Sequence, residues 1–128
     1  MQPSPLTDHV PLEHRSFAAV EHLAPLLALF LPMFGNVVGA LAAWLLLRER
    51  HPVLDAQGKE SLNFQLSLTL YSLVGAGIVL FTFGLGLLLL WPVFAVFYVM
   101  QFVVMILAVA STLNGKPYRY PLSIRFVR

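Results

Sequence analysis

Phe17 to Leu47 is apolar almost throughout, and beyond one polar segment the apolar character returns and runs to Leu113. This pattern constrains the fold more than anything else in the chain. A soluble domain shows water one polar face of each surface helix, and runs that are apolar all round leave it no such face. With 59% hydrophobic and 11% charged residues among 128, one small domain lacks the polar surface to cover that much apolar side chain. The sequence therefore predicts an all-α, integral membrane helical bundle whose first partner is the lipid bilayer.

The breaks in the apolar runs set the number of helices. As one helix, 17–47 would be about 46 Å long, well beyond a hydrocarbon core of roughly 30 Å. Pro32 removes a backbone donor, Gly35 suits a left-handed helix end, and Asn36 suits a new N-cap. The reading is four hydrophobic helices, at about 12–33, 36–49, 56–83 and 87–113. The first two form a short hairpin broken between Pro32 and Asn36. The alternative is three spans with a broken first helix. Residues 1–10, with Pro3 and Pro5, read as a disordered tail before a single membrane domain over 11–128. No basic segment precedes an apolar core at the N-terminus, so a cleavable signal peptide is not expected. Gly35, Gly39 and Ala43 fall four apart and make a small-residue stripe for close helix approach. Trp44 beside Arg48 reads as an interfacial anchor, and Trp91 marks another interface.

The segment from His51 to Tyr71 is where charge and polar amides meet a long apolar helix. Pro52 stops the preceding helix and Asp55 is the expected N-cap of the next. Lys59 and Glu60 then fall in its first turn, in the headgroup zone. Glu60, Asn63, Ser67 and Tyr71 share one face by their spacing of three and four. Polar side chains at this depth point into protein or water, which makes these four a candidate polar intramembrane face. The pair Gly84 and Gly86 marks the next turn, and Asn114-Gly115 ends the last helix. In the tail, Tyr118, Tyr120, Leu122, Ile124 and Phe126 alternate with more polar residues. That period of two fits a strand with one greasy face, lying on the membrane or against the 48–60 loop. An unstructured basic tail is the other reading of 114–128.

Charge gives the topology. Arg15 precedes the first helix, Arg48, Arg50 and Lys59 lie between the second and third, and Lys116, Arg119, Arg125 and Arg128 follow the last. These are all eight basic residues. The turns at 32–36 and 82–86 carry none. In a multi-pass protein of a bacterial inner membrane, the central loop 48–60 and the C-terminus are then cytoplasmic.

Catalytic chemistry finds no foothold. The chain has no cysteine, so disulfides, thiolate metal sites and thiol nucleophiles are excluded. His9, His14, His22 and His51 make no zinc spacing, and surface roles are expected for His14 and His22. No phosphate loop, nucleophile triad or paired catalytic carboxylate is recognisable. The small net charge of +2 is no nucleic-acid footprint. The expectation is a non-enzymatic membrane module without metal or cofactor, associating with itself or another membrane protein.

One set of residues resembles a known family. His22, the Pro32-x-x-Gly35-Asn36 turn, Trp44, the run Gly58-Lys59-Glu60-x-Leu62-Asn63-Phe64-Gln65, Tyr71, Asn114-Gly115 and Tyr118-x-Tyr120-Pro121-Leu122 look like the Tic-twenty-like family of small bacterial membrane proteins. The resemblance covers about residues 16–126 and departs from the pattern at Gln57 and Ser61. It implies a helical membrane domain distantly related to a chloroplast protein-import channel subunit. A pore or transporter component is the alternative function it suggests.

Overall fold

The structure is a computed structural model and describes residues 8–29 and 34–128. Those residues are helical or irregular, with no strand among them. The helices are α1 (Arg15–Leu23), α2 (Gly35–Leu47), α3 (Pro52–Phe81) and α4 (Leu85–Leu113), with short 3-10 segments at Leu12–His14 and Ala24–Leu29. Two of them, α3 and α4, are long and apolar enough to cross a membrane; α2 is a shorter apolar helix. The expected disordered N-terminal residues 1–7, and Pro32 of the expected first turn, lie outside the described residues. Val10 is buried, and its N–H donates to the Gly115 carbonyl at 2.8 Å.

Local chemistry explains where the helix ends differ from the sequence reading. The first helix keeps α geometry only to Leu23 and continues as 3-10. Pro25 has no N–H to give the carbonyl of Glu21 four residues back. That carbonyl accepts from Ser61 Oγ at 2.9 Å instead, so the lost helix bond becomes a tie between α1 and α3. Gly35 opens α2 without a left-handed conformation. Asn36 is not a cap: its Nδ2 donates to Gln65 Oε1 at 3.0 Å. Helix α3 begins four residues earlier than expected. His51 is its N-cap, with Nδ1 accepting from the Val53 N–H at 3.1 Å, and Pro52 takes the first helical position, where a missing N–H costs nothing. Asp55 therefore lies inside the first turn, bound by Trp44 Nε1 at 2.8 Å and Lys59 Nζ at 2.9 Å. The turn between α3 and α4 is left-handed at Phe83 and Gly84.

The four helices pack at one end and separate at the other. Contacts from Trp44 to Asp55 and from Asn36 to Gln65 lay α2 antiparallel along the first half of α3. The small-residue stripe serves this layer: Gly35, Gly39 and Ala43 are buried, and a Cβ on Gly39 would strike the Ala24 carbonyl. Arg15 reaches the carbonyls of Val10 and Leu113, which brings the start of α1 to the end of α4. Toward the Gly84 turn the α3–α4 hairpin has few neighbours among the described residues, and Leu73, Val74, Leu80, Phe81, Leu88 and Leu89 are all exposed. A helix pair that is apolar on its outside suits hydrocarbon as its solvent.

The tail after Gly115 forms neither a strand nor a loose end. It runs down α3 as an extended strap, turns at Pro121-Leu122 and comes back, with Leu122 at φ +57°. The expected single greasy face is broken by that turn. Tyr120 is 4% exposed and stacks on Phe64 at 4.4 Å, whereas Leu122, Ile124 and Phe126 are 60%, 41% and 49% exposed. Reversing the chain between them inverts which alternate residues face the helix.

Candidate functional site

One face of α3 holds the strap. Gln57, Glu60, Asn63, Ser67 and Tyr71 follow one another at steps of three or four, which keeps them on one side of a helix. Each bonds a main-chain atom of the tail. Gln57 Oε1 accepts from the Tyr118 N–H at 2.8 Å, and Glu60 Oε1 from the Tyr120 N–H at 2.6 Å. Tyr71 donates its hydroxyl to the Leu122 carbonyl at 2.7 Å, and Ser67 Oγ accepts from the Ile124 N–H at 2.6 Å. Asn63 matches both groups of Val127, donating at 2.8 Å and accepting at 2.7 Å. The order of partners shows the course of the tail: down from Gln57 to Tyr71, then back up to Asn63. Arg125 closes the return with an ion pair to Glu60 at 3.2 Å.

The four side chains of the candidate polar face are thus brought together, and all four are engaged by the chain's own C-terminus. Gln57 extends the row by one turn. An amide one turn before Glu60 on the same helical face was the signal that could have added it.

A second cluster lies behind the first, and the sequence reading missed its character. His22 was expected in a surface role, yet it and its neighbour Glu21 are fully buried. Helix α1 lies in the seam between α3 and α4. The His22 tautomer follows from its partners. The Tyr118 N–H needs an acceptor, so the Gln57 atom it meets is the oxygen. His22 Nε2, 3.0 Å from that oxygen, therefore carries the proton. His22 Nδ1 is left to accept from the Tyr120 hydroxyl at 2.7 Å. Burial pushes His22 down to about 4, against the pull of the Gln57 hydrogen bond, so the ring is neutral at pH 7. Burial raises Tyr120 as well.

Glu21 has no such partner: neither carboxyl oxygen accepts or donates a hydrogen bond. It abuts Gly58, where an added Cβ would meet both Glu21 Oε1 and Trp44. Burial, then the charge of Asp55, pushes its pKa up to about 9. A neutral carboxyl is the form such a site tolerates.

Among the described residues no three of His, Cys, Asp or Glu come close enough to hold a metal ion. The His14 and His51 rings lie 4.7 Å apart between centroids, tilted by 36°, at the same end as Arg15 and Arg50. Gly58, Lys59, Phe64 and Gln65, quoted above as motif positions, all lie in the α3 half that carries α2 and the strap. The Pro121 position makes the strap's turn.

No curated protein and no solved structure matches the chain. A family model does match, over residues 13–127, and it overturns the Tic-twenty-like resemblance. The residues that carried that resemblance are ones this packing requires. Glycines stand where helices cross, amides bind a strap, and a Tyr-Pro turn reverses it. Requirements of that kind are weak evidence of descent. The kinship to an import channel goes with the resemblance. The matched residues include α1 to α4 and all but the last residue of the strap, and the chain belongs to the magnetosome magnetite crystal formation protein family, MamF/MmsF.

Proposed function

We propose that the protein is a non-enzymatic membrane module that serves magnetite crystal formation by associating with itself or with another membrane protein. The family match over nearly the whole chain carries this reading. The α3–α4 hairpin supports it as the anchor, being apolar on its outer surface. In this reading α3 and α4 cross the membrane, and α1–α2 form a hairpin that leans on them from the basic side. The clustering of basic residues supports a cytoplasmic 48–60 loop and C-terminus. Nothing in the site calls for a reaction: the polar side chains of α3 hold the strap.

The chain is naturally free of cysteine, so a single cysteine at Leu89, exposed on α4, can be cross-linked in native membranes without background. The expected result is a cross-linked homodimer or a cross-linked second membrane protein. Recovery of monomer alone, with no co-purifying partner, refutes the association. In a magnetite-forming cell that carries this protein, its removal is expected to change crystal size or number, and the wild-type chain to restore them.

A further inference from the structure

Below the strap, α3 and α4 do not close on each other. They leave a groove of about 490 Å³. Its walls include Leu70, Val74, Ile78, Val93 and Phe94, and Gly75 leaves room for the Phe94 ring. An empty apolar groove in hydrocarbon would forfeit van der Waals contacts on every wall, so something apolar fills it. Its mouth on the strap side is formed by Leu122. That residue is the left-handed one at the strap's turn, held there by the Tyr71 hydroxyl. A bulky side chain in that conformation is strained, and such strain collects at binding sites and clamps.

The strap above this mouth is basic. Arg119 and Arg128 are exposed, and Arg125 is half-exposed with one nitrogen on Glu60. Arg125 Nη1 and Ser123 Oγ are buried against α3 without a hydrogen-bond partner, so they lie under the strap and not on its outer surface. Alternation along the return limb places these two on the same side. Two exposed guanidinium groups, Arg119 and Arg128, thus stand on the two limbs of the strap that meet at Leu122, the residue at the mouth of the apolar groove.

We propose that this groove and strap form a binding site for one anionic phospholipid. An acyl chain lies between α3 and α4 under Leu122, and the phosphate meets the strap arginines. The charge complementarity selects the lipid, because a zwitterionic headgroup brings no net charge to the arginines. The proposal rests on the membrane reading above. Its test begins from bilayer-embedded protein, so that failure to insert is seen first and separately.

The full chain is reconstituted in vesicles of equal parts phosphatidylcholine and phosphatidylglycerol, extracted gently, and its retained lipid counted by native mass spectrometry. One phosphatidylglycerol per chain is expected. Arg119 and Arg128 each contribute a preference of about fivefold over phosphatidylcholine, so about 25-fold together. The double variant Arg119→Gln, Arg128→Gln is expected to lose that preference while still retaining one lipid. Val93→Trp, which fills the groove, is expected to retain none. A wild-type measurement needs no variant: short-chain dihexanoyl phosphatidylglycerol should not displace the long-chain lipid. Retention of the two lipids in bilayer proportion overturns the proposal. So does an undiminished preference in the double arginine variant, or full displacement by the short-chain lipid.

Discussion

Glu21 is a carboxyl that folding must keep protonated. Its pKa is raised from 4.5 to about 9 by burial and then by Asp55. In the unfolded chain at pH 7.5 the group is ionised. Restoring its proton on folding costs about 1.36 kcal/mol for each of roughly three pH units, or about 4 kcal/mol. Glu21→Gln keeps the shape and removes that cost. It still leaves a polar group without partners, which offsets part of the gain at about 1–2 kcal/mol. The expected result at pH 7.5 is a protein about 2–3 kcal/mol more stable than wild type. The sign fixes the pH window. A raised carboxyl contributes its full stability below pH 4.5 and loses it as pH rises toward 9. His22, lowered from 6.5 to about 4, works the other way: its contribution is intact above 6.5 and is lost as pH falls toward 4. Wild type should therefore be most stable between about pH 4.5 and 6.5 and decline on the alkaline side. Glu21→Gln should make the alkaline decline shallower by the Glu21 contribution and keep the acid one. Unfolding in detergent, followed by fluorescence of Trp44 beside Gly58, reads both limbs. If wild type and variant lose stability in parallel from pH 6.5 to 9, Glu21 is not the titrating group and its burial is misjudged.

Asn63→Leu removes both bonds to Val127, a loss of about 1–3 kcal/mol. Trypsin should then cut the strap at Arg119 and Arg125 about tenfold faster, with helix content by circular dichroism unchanged; equal protection would show that the strap is held elsewhere. Gly39→Ala drives a methyl into the Ala24 carbonyl, whereas a methyl at Gly77 meets nothing within 4 Å. The first should lower the melting temperature and the second raise stability by up to about 1 kcal/mol through helix propensity; the reverse order would refute the packing between α2 and the 3-10 segment. Single cysteines at Glu49, Gly84 and Phe126 should react with an impermeant thiol reagent from one side for the first and third and from the opposite side for Gly84. Labelling of Glu49 and Phe126 from opposite sides would break the shared basic face.

What the sequence makes legible here is whatever one helix decides for itself. The span of α4 and the turn at Gly84 follow from unbroken apolar runs and a glycine pair. The common face of Glu60, Asn63, Ser67 and Tyr71 follows from periodicity alone. What it hides are features settled by a second segment. Pro25 has no role in the sequence reading, yet its missing N–H frees the Glu21 carbonyl for Ser61. Glu21 and His22 look like surface residues because charged side chains favour water, and only the seam between α3 and α4 buries them. The tail's alternation is real, but a left-handed Leu122 inverts it halfway, and leucine gives no warning of that conformation. The same locality misled the comparison with families, since a strap-binding amide row is a packing solution before it is a pedigree.

The strap and the polar face of α3 each need the other. Measured up from the turn at Gly84, a hydrocarbon core of roughly 30 Å reaches about twenty residues along α3, to the level of Leu62. Asn63, Ser67 and Tyr71 then lie within it, and so does the turn of a non-helical tail. Polar side chains at that depth are costly on a lipid-facing helix, and irregular backbone is tolerated there only when its groups are satisfied by protein or water. Here the two costs cancel. Side-chain oxygens take the backbone N–H groups of Tyr118, Tyr120, Ile124 and Val127, and Tyr71 and Asn63 give hydrogens back to carbonyls. A pore lining would leave those same atoms facing water. With each of the five α3 side chains already matched to the tail's main chain, α3 reads as a rack for its own terminus, and the outward face of that terminus, basic and apolar by turns, is what the protein offers to the membrane around it.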